Sequence, residues 1–373
     1  MKKGYPPLWL SALILALLLF WKMLGAPVSA KQFQALETPF WQARVLLPSR
    51  LSRVLLLWMP VQTVKPEAVT LPEDGMDTDD RELARLMDGG GESPMIAVYV
   101  AEEDRLVSMT LEGYACGVVA AEVPAAYHME ALKAQAVAAR TRAIYQMQNG
   151  GCPLHESAAI CTDSAHCQGY ATLVECREKW GEEYGVYRER IMKAVAETAD
   201  ELLTYGGEPI TVMYHAISGG TTEAAQTVFA QTLPYLISVD SAGEEDTRGF
   251  YTDTAYTFEE AARLLSAALP ELDVTAEEVR QSLIVGEYTP TGRVKSVLLN
   301  GHEVEATAFR KALGLRSTWF TLSTDAQSVT FHQRGYGHGV GMSQAGANSM
   351  AAAGSGYRDI LAHYYPGTQL EKR

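Results

Sequence analysis

A helical block at residues 112–148 places the strictest condition on how this chain folds, because its second part is rich in alanine. Small side chains let a neighbouring element approach a helix closely, so the pattern predicts a deeply buried helix. Proline has no N–H to lose and its φ is already helical, so Pro124 is predicted to begin a helix that runs to about Gln148. The alanines on its interior face are Ala131, Ala134, Ala136, Ala138, Ala139 and Ala143.

Glu122 stands at the junction of this block, in the stretch Val118-Val-Ala-Ala-Glu-Val-Pro124. A carboxylate at the start of a helix is commonly a cap, since it interacts favourably with the helix dipole. A carboxyl group among alanines and valines can instead have a pKa raised toward that of a working acid. The spacing alone leaves both interpretations open.

The N-terminus predicts an extracytoplasmic body. Lys2 and Lys3 precede an apolar run from about Leu8 to Leu24, which is long enough for a short membrane span. Positive charges before the span keep that end in the cytoplasm. We therefore predict a cytoplasmic tip and transmembrane anchor at residues 1–30; the alternative is a signal peptide cleaved near Val28-Ser-Ala30.

The chain beyond the anchor divides into a stalk and a body. Residues 31–94 contain acidic and glycine-rich stretches that indicate a flexible linker. Residues 95–370 mix strand and helix patterns without regular βαβ alternation, so we predict an α+β, multi-lobed body. The formal net charge of −14 argues against non-specific nucleic-acid binding, which needs a basic surface.

Two glycine-containing motifs are candidates for the walls of a binding site. The first, Tyr214-His-Ala-Ile-Ser-Gly-Gly-Thr-Thr-Glu223, predicts a strand that ends in a turn, where local side-chain-to-backbone bonds are the simpler interpretation. The second, Gly335-Tyr-Gly-His-Gly-Val-Gly-Met-Ser-Gln-Ala-Gly346, leaves room for a ligand to come close. Ser343 is predicted to cap a helix that begins at Gln344. The glycine spacing differs from the dinucleotide fingerprint.

A loop at residues 150–170 concentrates cysteine and histidine. His155, Cys161, His166 and Cys167 would supply two nitrogens and two sulfurs, a tetrahedral zinc set without an open position. Cys152 and Cys176 can replace a member or form a disulfide with each other. The residues alone leave zinc and disulfides open.

Four ordered motifs carry a resemblance to a known family. They are Leu111-Glu-Gly-Tyr-Ala-Cys-Gly-Val-Val-Ala-Ala-Glu-Val-Pro, Met129-Glu-Ala-Leu-Lys-Ala-Gln-Ala-Val-Ala-Ala-Arg-Thr, Ser218-Gly-Gly-Thr-Thr and Gly337-His-Gly-Val-Gly-Met-Ser-Gln-Ala-Gly-Ala. Together they resemble the stage II sporulation protein D family over roughly residues 95–370, and a single N-terminal anchor fits that family.

The resemblance implies a membrane-anchored lytic transglycosylase that remodels the septal wall during sporulation and engulfment. Such an enzyme cleaves the bond between N-acetylmuramic acid and N-acetylglucosamine in peptide-free peptidoglycan strands and leaves 1,6-anhydro ends. The family's catalytic acid lies in an Ala-Glu-x-Pro stretch, which maps onto Glu122. One carboxyl group suffices, because it alternates between acid and base. The sugar-binding groove is assigned to His215, Ser218, Tyr336, His338 and Gln344.

The resemblance also implies a cofactor, partners and a location. Some clostridial members bind zinc through a His/Cys loop, which implies one structural Zn²⁺ at His155, Cys161, His166 and Cys167. The expected partners are glycan strands, a membrane-anchored amidase of the stage II sporulation protein P type and a multipass membrane protein. The expected location is the sporulation septum, with the body outside the cytoplasm. Two other functions stay open: a non-catalytic enhancer of a cell-wall amidase and, less favoured, a zinc peptidase.

Overall fold

A computed structural model describes residues 67–68 and 93–373 of the 373-residue chain. The predicted anchor at 1–30 and nearly all of the predicted stalk lie outside the described residues. Among the residues that are described, no helix is both long and apolar enough to cross a membrane.

Helices and strands are mixed along the described part of the chain. The helices, α1 to α10, are Leu111–Glu122, Met129–Gln148, Leu173–Trp180, Tyr184–Glu197, Ala225–Phe229, Phe258–Ala268, Ala276–Ser282, Ala306–Ala312, Gln344–Ala352 and Tyr357–Tyr364. The strands, β1 to β15, are Glu67–Ala68, Met95–Val100, Arg105–Thr110, Ile160–Cys161, Glu201–Tyr205, Glu208–Pro209, Tyr214–His215, Tyr251–Thr257, Ile284–Val285, Ser296–Leu299, His302–Glu305, Phe320–Thr324, Ser328–Arg334, Met342–Ser343 and Gln369–Lys372.

The strands form small sheets rather than one large one. The orders are β1-β3-β2-β4, β15-β5-β6, β14-β7, β12-β13-β8 and β11-β10-β9. The alternating runs at residues 96–100 and 105–111 predict a hairpin, and β2 and β3 form it, with Met95 opposite Thr110. Asn300-Gly301 is the strongest kind of short hairpin signal, and β10 and β11 form the predicted hairpin around it. Both turn residues have positive φ, as a two-residue type I′ turn requires.

The helical block is split where the sequence placed its junction, but α2 begins later than predicted. Pro124 does not begin this helix, because it opens a turn in which the Tyr127 N–H donates to the Pro124 carbonyl at 2.9 Å. Arg190 of α4 donates to the carbonyls of Ala125 and Tyr127 and holds this turn in place. Helix α2 starts only at Met129. Glu122 is therefore the last residue of α1.

The alanine face of α2 is buried between two apolar clusters, as predicted. One cluster gathers α1, α4 and the β2–β3 hairpin, and the other gathers β5, α9 and α10. A buried ion pair joins the first two helices, since the Arg140 guanidinium donates to both oxygens of Glu112 at 2.8 and 2.6 Å. A third apolar cluster lies among α6, α8 and the sheet β12-β13-β8.

Some elements differ from the sequence prediction. The pattern Ile210-Thr-Val-Met-Tyr-His215 predicts one strand, but the structure limits the strand to β7, which pairs with the short β14. Helices α3 and α10 and strand β15 have no counterpart in the prediction. The predicted cap of α9 is confirmed, because the Ser343 hydroxyl accepts from the Gly346 N–H at 3.2 Å.

Candidate active site

Glu122 occupies the C-terminal end of α1, where it is partly exposed. Its Oε1 accepts a hydrogen bond from the backbone N–H of Gly169 at 2.7 Å. Its Oε2 faces the side-chain amide of Gln344 at 3.4 Å, a long contact. One oxygen is therefore firmly held and the other only weakly, which leaves the second available for a proton.

The pKa of Glu122 is raised, chiefly because burial disfavours the charged carboxylate. The Gly169 and Gln344 hydrogen bonds and the positive charge of Arg142 oppose part of this shift. The Tyr214 hydroxyl also lowers the pKa, although it has no hydrogen bond of normal geometry within the described residues. The position of Glu122 at the end of α1 also favours a raised pKa, because the C-terminal end of a helix carries partial negative charge.

Glu122 does not cap the second helix. The residue at the N-cap position of α2 is His128, whose side chain makes no capping bond. The carboxylate lies at the wrong end of α1 for a favourable dipole interaction. The structure thus removes the simpler of the two interpretations that the sequence left open.

Gln344 comes into contact with Glu122 because of how α9 begins. The cap at Ser343 fixes the first turn of α9, and Gln344 then reaches both Glu122 and Gln135 of α2. The Gln344 side chain is almost fully buried. It links the glycine loop to the two helices, as a groove residue placed beside the acid would.

The two glycine-containing motifs meet in the short parallel pair of β7 and β14, in which Ser343 lies opposite His215. Two glycines of the second motif are required because neighbouring atoms in or next to the first motif leave no room for a side chain. A Cβ at Gly341 would lie 2.0 Å from the Met213 carbonyl oxygen, and one at Gly337 would lie 2.7 Å from the Cβ of His215. Both glycines also have positive φ.

His215 and His338 lie against each other, with ring centroids 5.6 Å apart. The His215 Nδ1 contacts the Val340 carbonyl at 3.1 Å, and the His338 Nδ1 accepts from the Val340 N–H at 3.0 Å. Burial lowers the pKa of His215 well below its usual range and lowers that of His338 to about 4. Both rings are therefore neutral at neutral pH. His215 is only 4% exposed, so it supports the loop rather than lining an open groove.

Ser218 is placed differently from its predicted role. It is fully buried, and both its N–H and its hydroxyl donate to the Glu244 carboxylate at 2.8 and 2.9 Å. The prediction that Ser218 contacts sugar is corrected, because its polar atoms are occupied by a structural anion. Tyr336, in contrast, is 43% exposed and so is accessible to a ligand.

The His/Cys loop brings four potential ligands together. The donor atoms of Cys152, Cys161, His166 and Cys167 all lie within 4.8 Å of one another. The His166 Nδ1 is 3.3 to 3.6 Å from the three sulfurs. Three thiols and one imidazole suit a structural tetrahedral zinc site, so this cluster fits zinc.

The cluster corrects the predicted ligand set in one member. His155 lies outside it, because a turn from the Cys152 carbonyl carries the imidazole onto the ring of Tyr99, with centroids 3.6 Å apart. Cys152 takes its place. The alternative disulfide between Cys152 and Cys176 is absent, since all five cysteines of the chain are free. Cys176 belongs to the apolar cluster around α1.

The His/Cys cluster is linked to Glu122 through Gly169. Cys167 precedes Gly169 by two residues, and the Gly169 N–H holds Glu122. Gly169, Tyr214 and Arg142 were not predicted as neighbours of Glu122, and Gln135 was not predicted as a neighbour of Gln344. Apart from the position of Gly169 directly after the His/Cys loop, no signal in the sequence indicated them.

These features define a class of protein with one helix-terminal acid beside a glycine-rich loop, and comparison with known proteins identifies the class. Residues 100–205 match the family model described as SpoIID, stage II sporulation protein. The chain is 32% identical over 318 residues to stage II sporulation protein D of Bacillus subtilis (strain 168), which covers 85% of this chain and 91% of that relative. The chain belongs to the stage II sporulation protein D family.

Two further relatives were found. Stage II sporulation protein D of Bacillus amyloliquefaciens is 32% identical over 282 residues, 75% of this chain and 80% of the relative. An amidase enhancer of Bacillus subtilis (strain 168) is 28% identical over 303 residues, 68% of this chain but 40% of the relative.

Proposed function

We propose that this protein acts on the cell wall during sporulation, as a lytic transglycosylase that cleaves peptide-free peptidoglycan glycan strands. The observation that carries the proposal is Glu122, a partly exposed carboxyl with a raised pKa. The largest influences on this pKa are burial, Gly169, Gln344, Arg142 and Tyr214, and none of these is a second carboxylate. Glycosidases that hydrolyse by the usual route need two carboxyl groups flanking the bond. A single one fits intramolecular ring closure.

In the proposed reaction, Glu122 protonates the glycosidic oxygen between N-acetylmuramic acid and N-acetylglucosamine. The resulting carboxylate then accepts the proton of the muramic C6 hydroxyl, whose oxygen closes the 1,6-anhydro ring. Oε2 is the atom that carries this proton, because Oε1 is held by Gly169 at 2.7 Å while Oε2 has only the 3.4 Å contact to Gln344. A pKa shifted upward toward working pH suits a group with both duties.

Cys152, Cys161, His166 and Cys167 would hold the zinc ion. With four protein ligands, the metal would supply structural stabilisation rather than an activated water. The chain's own part in this arrangement is to fix the segment from Cys161 to Gly169, whose last N–H orients the acid. The absence of an open position also argues against a zinc peptidase.

We further propose the expected setting for this activity. The protein would be a single-pass membrane protein with its body outside the cytoplasm at the sporulation septum. A membrane-anchored amidase of the stage II sporulation protein P type would prepare its substrate, and a multipass membrane protein would belong to the same complex. The family membership supports this setting.

The test is product analysis with the full-length protein. Incubated with peptide-free glycan strands, the wild type should release fragments with 1,6-anhydro ends, detected by mass spectrometry. Glu122→Gln should release them at least about a hundredfold more slowly, whereas Glu178→Gln, a change at an exposed glutamate of α3, should behave like the wild type. Full activity of Glu122→Gln would rule out the assigned role.

The second candidate is a non-catalytic enhancer of a cell-wall amidase, and the relative named amidase enhancer favours it. This function predicts that the protein stimulates a purified amidase and that Glu122→Gln stimulates it equally well. Stimulation without any anhydro product would select the enhancer over the enzyme.

A further inference from the structure

Three arginines near the glycine loop have no acidic partner. Arg310, Arg316 and Arg334 are all partly exposed, and within the described residues none forms an ion pair. The chain as a whole carries a net charge of −14, so acidic groups are plentiful elsewhere. A local group of unpaired cations in such a protein indicates a site for an external anion.

Aromatic rings hold two of these guanidinium groups in fixed planes. The Arg316 guanidinium lies 4.2 Å from the centroid of the Tyr336 ring, and that of Arg334 lies 4.5 Å from the Trp319 ring. The Nε atoms of both arginines are buried and have no hydrogen-bond partner in the described part of the chain. Stacking satisfies the faces of a guanidinium and leaves its N–H edge for a planar anion.

This patch, formed by Arg310, Arg316, Arg334 and Tyr336, is connected to the candidate active site through the glycine loop. Tyr336 is two residues before His338, and the Gly337 N–H donates to the Arg316 carbonyl at 2.9 Å. His338 in turn lies against His215, next to Tyr214. A glycan that reaches Glu122 and continues along the glycine loop therefore meets the patch.

The ligand follows from the chemistry of the substrate. A muramic acid that carries a stem peptide has its lactyl group tied up in an amide, whereas a peptide-free muramic acid presents a free lactyl carboxylate. Guanidinium groups bind carboxylates through two parallel N–H bonds. We propose that the patch binds the lactyl carboxylate of a peptide-free muramic acid and so selects peptide-free strands. The inference rests on the proposed function, because it assumes that the glycan lies across Glu122.

Selection of this kind acts by rejection as well as by attraction. A neutral amide offers no second oxygen to the guanidinium groups, so their N–H groups would lose water without gaining a partner. The amide form should therefore bind worse than the free acid. The difference should disappear when the arginines are replaced.

The test is a binding measurement that needs no catalysis. Full-length Glu122→Gln protein is titrated calorimetrically, at constant ionic strength, with a muramic-acid tetrasaccharide as the free acid or as its N-methylamide. The free acid should bind about ten- to a hundredfold more tightly, the range for charge-assisted hydrogen bonds. Adding Arg316→Gln and Arg334→Gln should abolish the preference, and Arg263→Gln, at an exposed arginine of α6, should keep it.

Two results would overturn the assignment. One is equal binding of both tetrasaccharides to protein with an intact patch, a comparison that does not depend on whether the arginine variant folds. The other is displacement of the tetrasaccharide by a glycerol-phosphate oligomer at lower concentration than by its own free-acid form, which would mark a phosphate site. If the wild type makes no anhydro product but the binding preference holds, the proposed reaction fails and the patch stands.

Discussion

Helix α1 carries a glutamate near each end, and the two side chains have different environments. Glu112, in the first turn, is nearly buried and forms a two-bond ion pair with Arg140. Glu122, the last residue, has one short backbone N–H bond and one long amide contact. The helix dipole favours negative charge at the start and disfavours it at the end. One residue type thus becomes a structural anion at one end and a candidate acid at the other.

A third glutamate supports this contrast. Glu244 is fully buried, yet two backbone N–H groups and two hydroxyls donate to it. Buried carboxylates are tolerated when donors are sufficient. The shortage of donors, rather than burial, distinguishes Glu122.

The largest expected effect comes from a change at the C-terminal end of α1. Glu122→Gln removes the acid but keeps its shape and its contact to Gly169. Because general acid–base catalysis contributes about 10²- to 10⁴-fold, the rate of anhydro product formation should fall by at least about a hundredfold. Glycan cleavage assays measure the change, and thermal unfolding should stay close to that of the wild type. An unchanged rate in a folded variant would contradict the assignment.

A change to the ion pair at the N-terminal end of α1 should lower stability instead. Arg140→Leu leaves Glu112 buried without a partner, and loss of one member of a buried pair costs about 3–5 kcal/mol. Denaturant unfolding should show this loss in the free energy of unfolding.

The double variant with Glu112→Leu should recover much of that stability, since neither charge is left alone. As a control, Lys295→Gln breaks an exposed pair with Glu287 and should change the free energy of unfolding by about 1 kcal/mol or less. Equal losses of unfolding free energy in the Arg140 and Lys295 variants would show that the buried pair contributes no more stability than an exposed one.

Removing the His/Cys cluster tests how Glu122 is held in place. A Cys161→Ser/Cys167→Ser variant should lose the expected one zinc per chain in elemental analysis, melt at lower temperature and cleave glycan more slowly through displacement of Gly169. Cys176→Ser, in the apolar cluster around α1, should retain the metal. Equal zinc in both variants would eliminate the proposed site.

The smallest effect concerns pH. The pKa of Glu122 is raised on folding, so its protonated form stabilises the folded protein. That contribution is fully present below the unfolded-state pKa and is lost as pH rises through the folded-state pKa. Glu122→Gln lacks this loss, so its stability relative to wild type should increase with pH across that window. Urea unfolding at several pH values would reveal a flat difference if the pKa were not raised.

Local patterns predicted many elements well. The hairpins at β2–β3 and at Asn300-Gly301, the cap at Ser343 and the burial of α2 depend on contacts within a few residues or on side-chain size. The start of α2 was predicted too early, because local helix preference at Pro124 lost to a turn held by the distant Arg190. Cys152 rather than His155 belongs to the cluster, because His155 stacks on Tyr99, which is 56 residues away in the chain.

The amino-acid sequence by itself determined the family, the candidate acid and the existence of a His/Cys-rich loop, because these are carried by residue types in fixed local order. Only the tertiary structure decided how they are used. It placed Glu122 at a helix end with one good donor, buried Ser218 around Glu244, and set unpaired arginines beside Tyr336. Each outcome depends on partners far away in the chain, and burial and hydrogen bonding, which set the reactivity of a side chain, arise only when those partners meet.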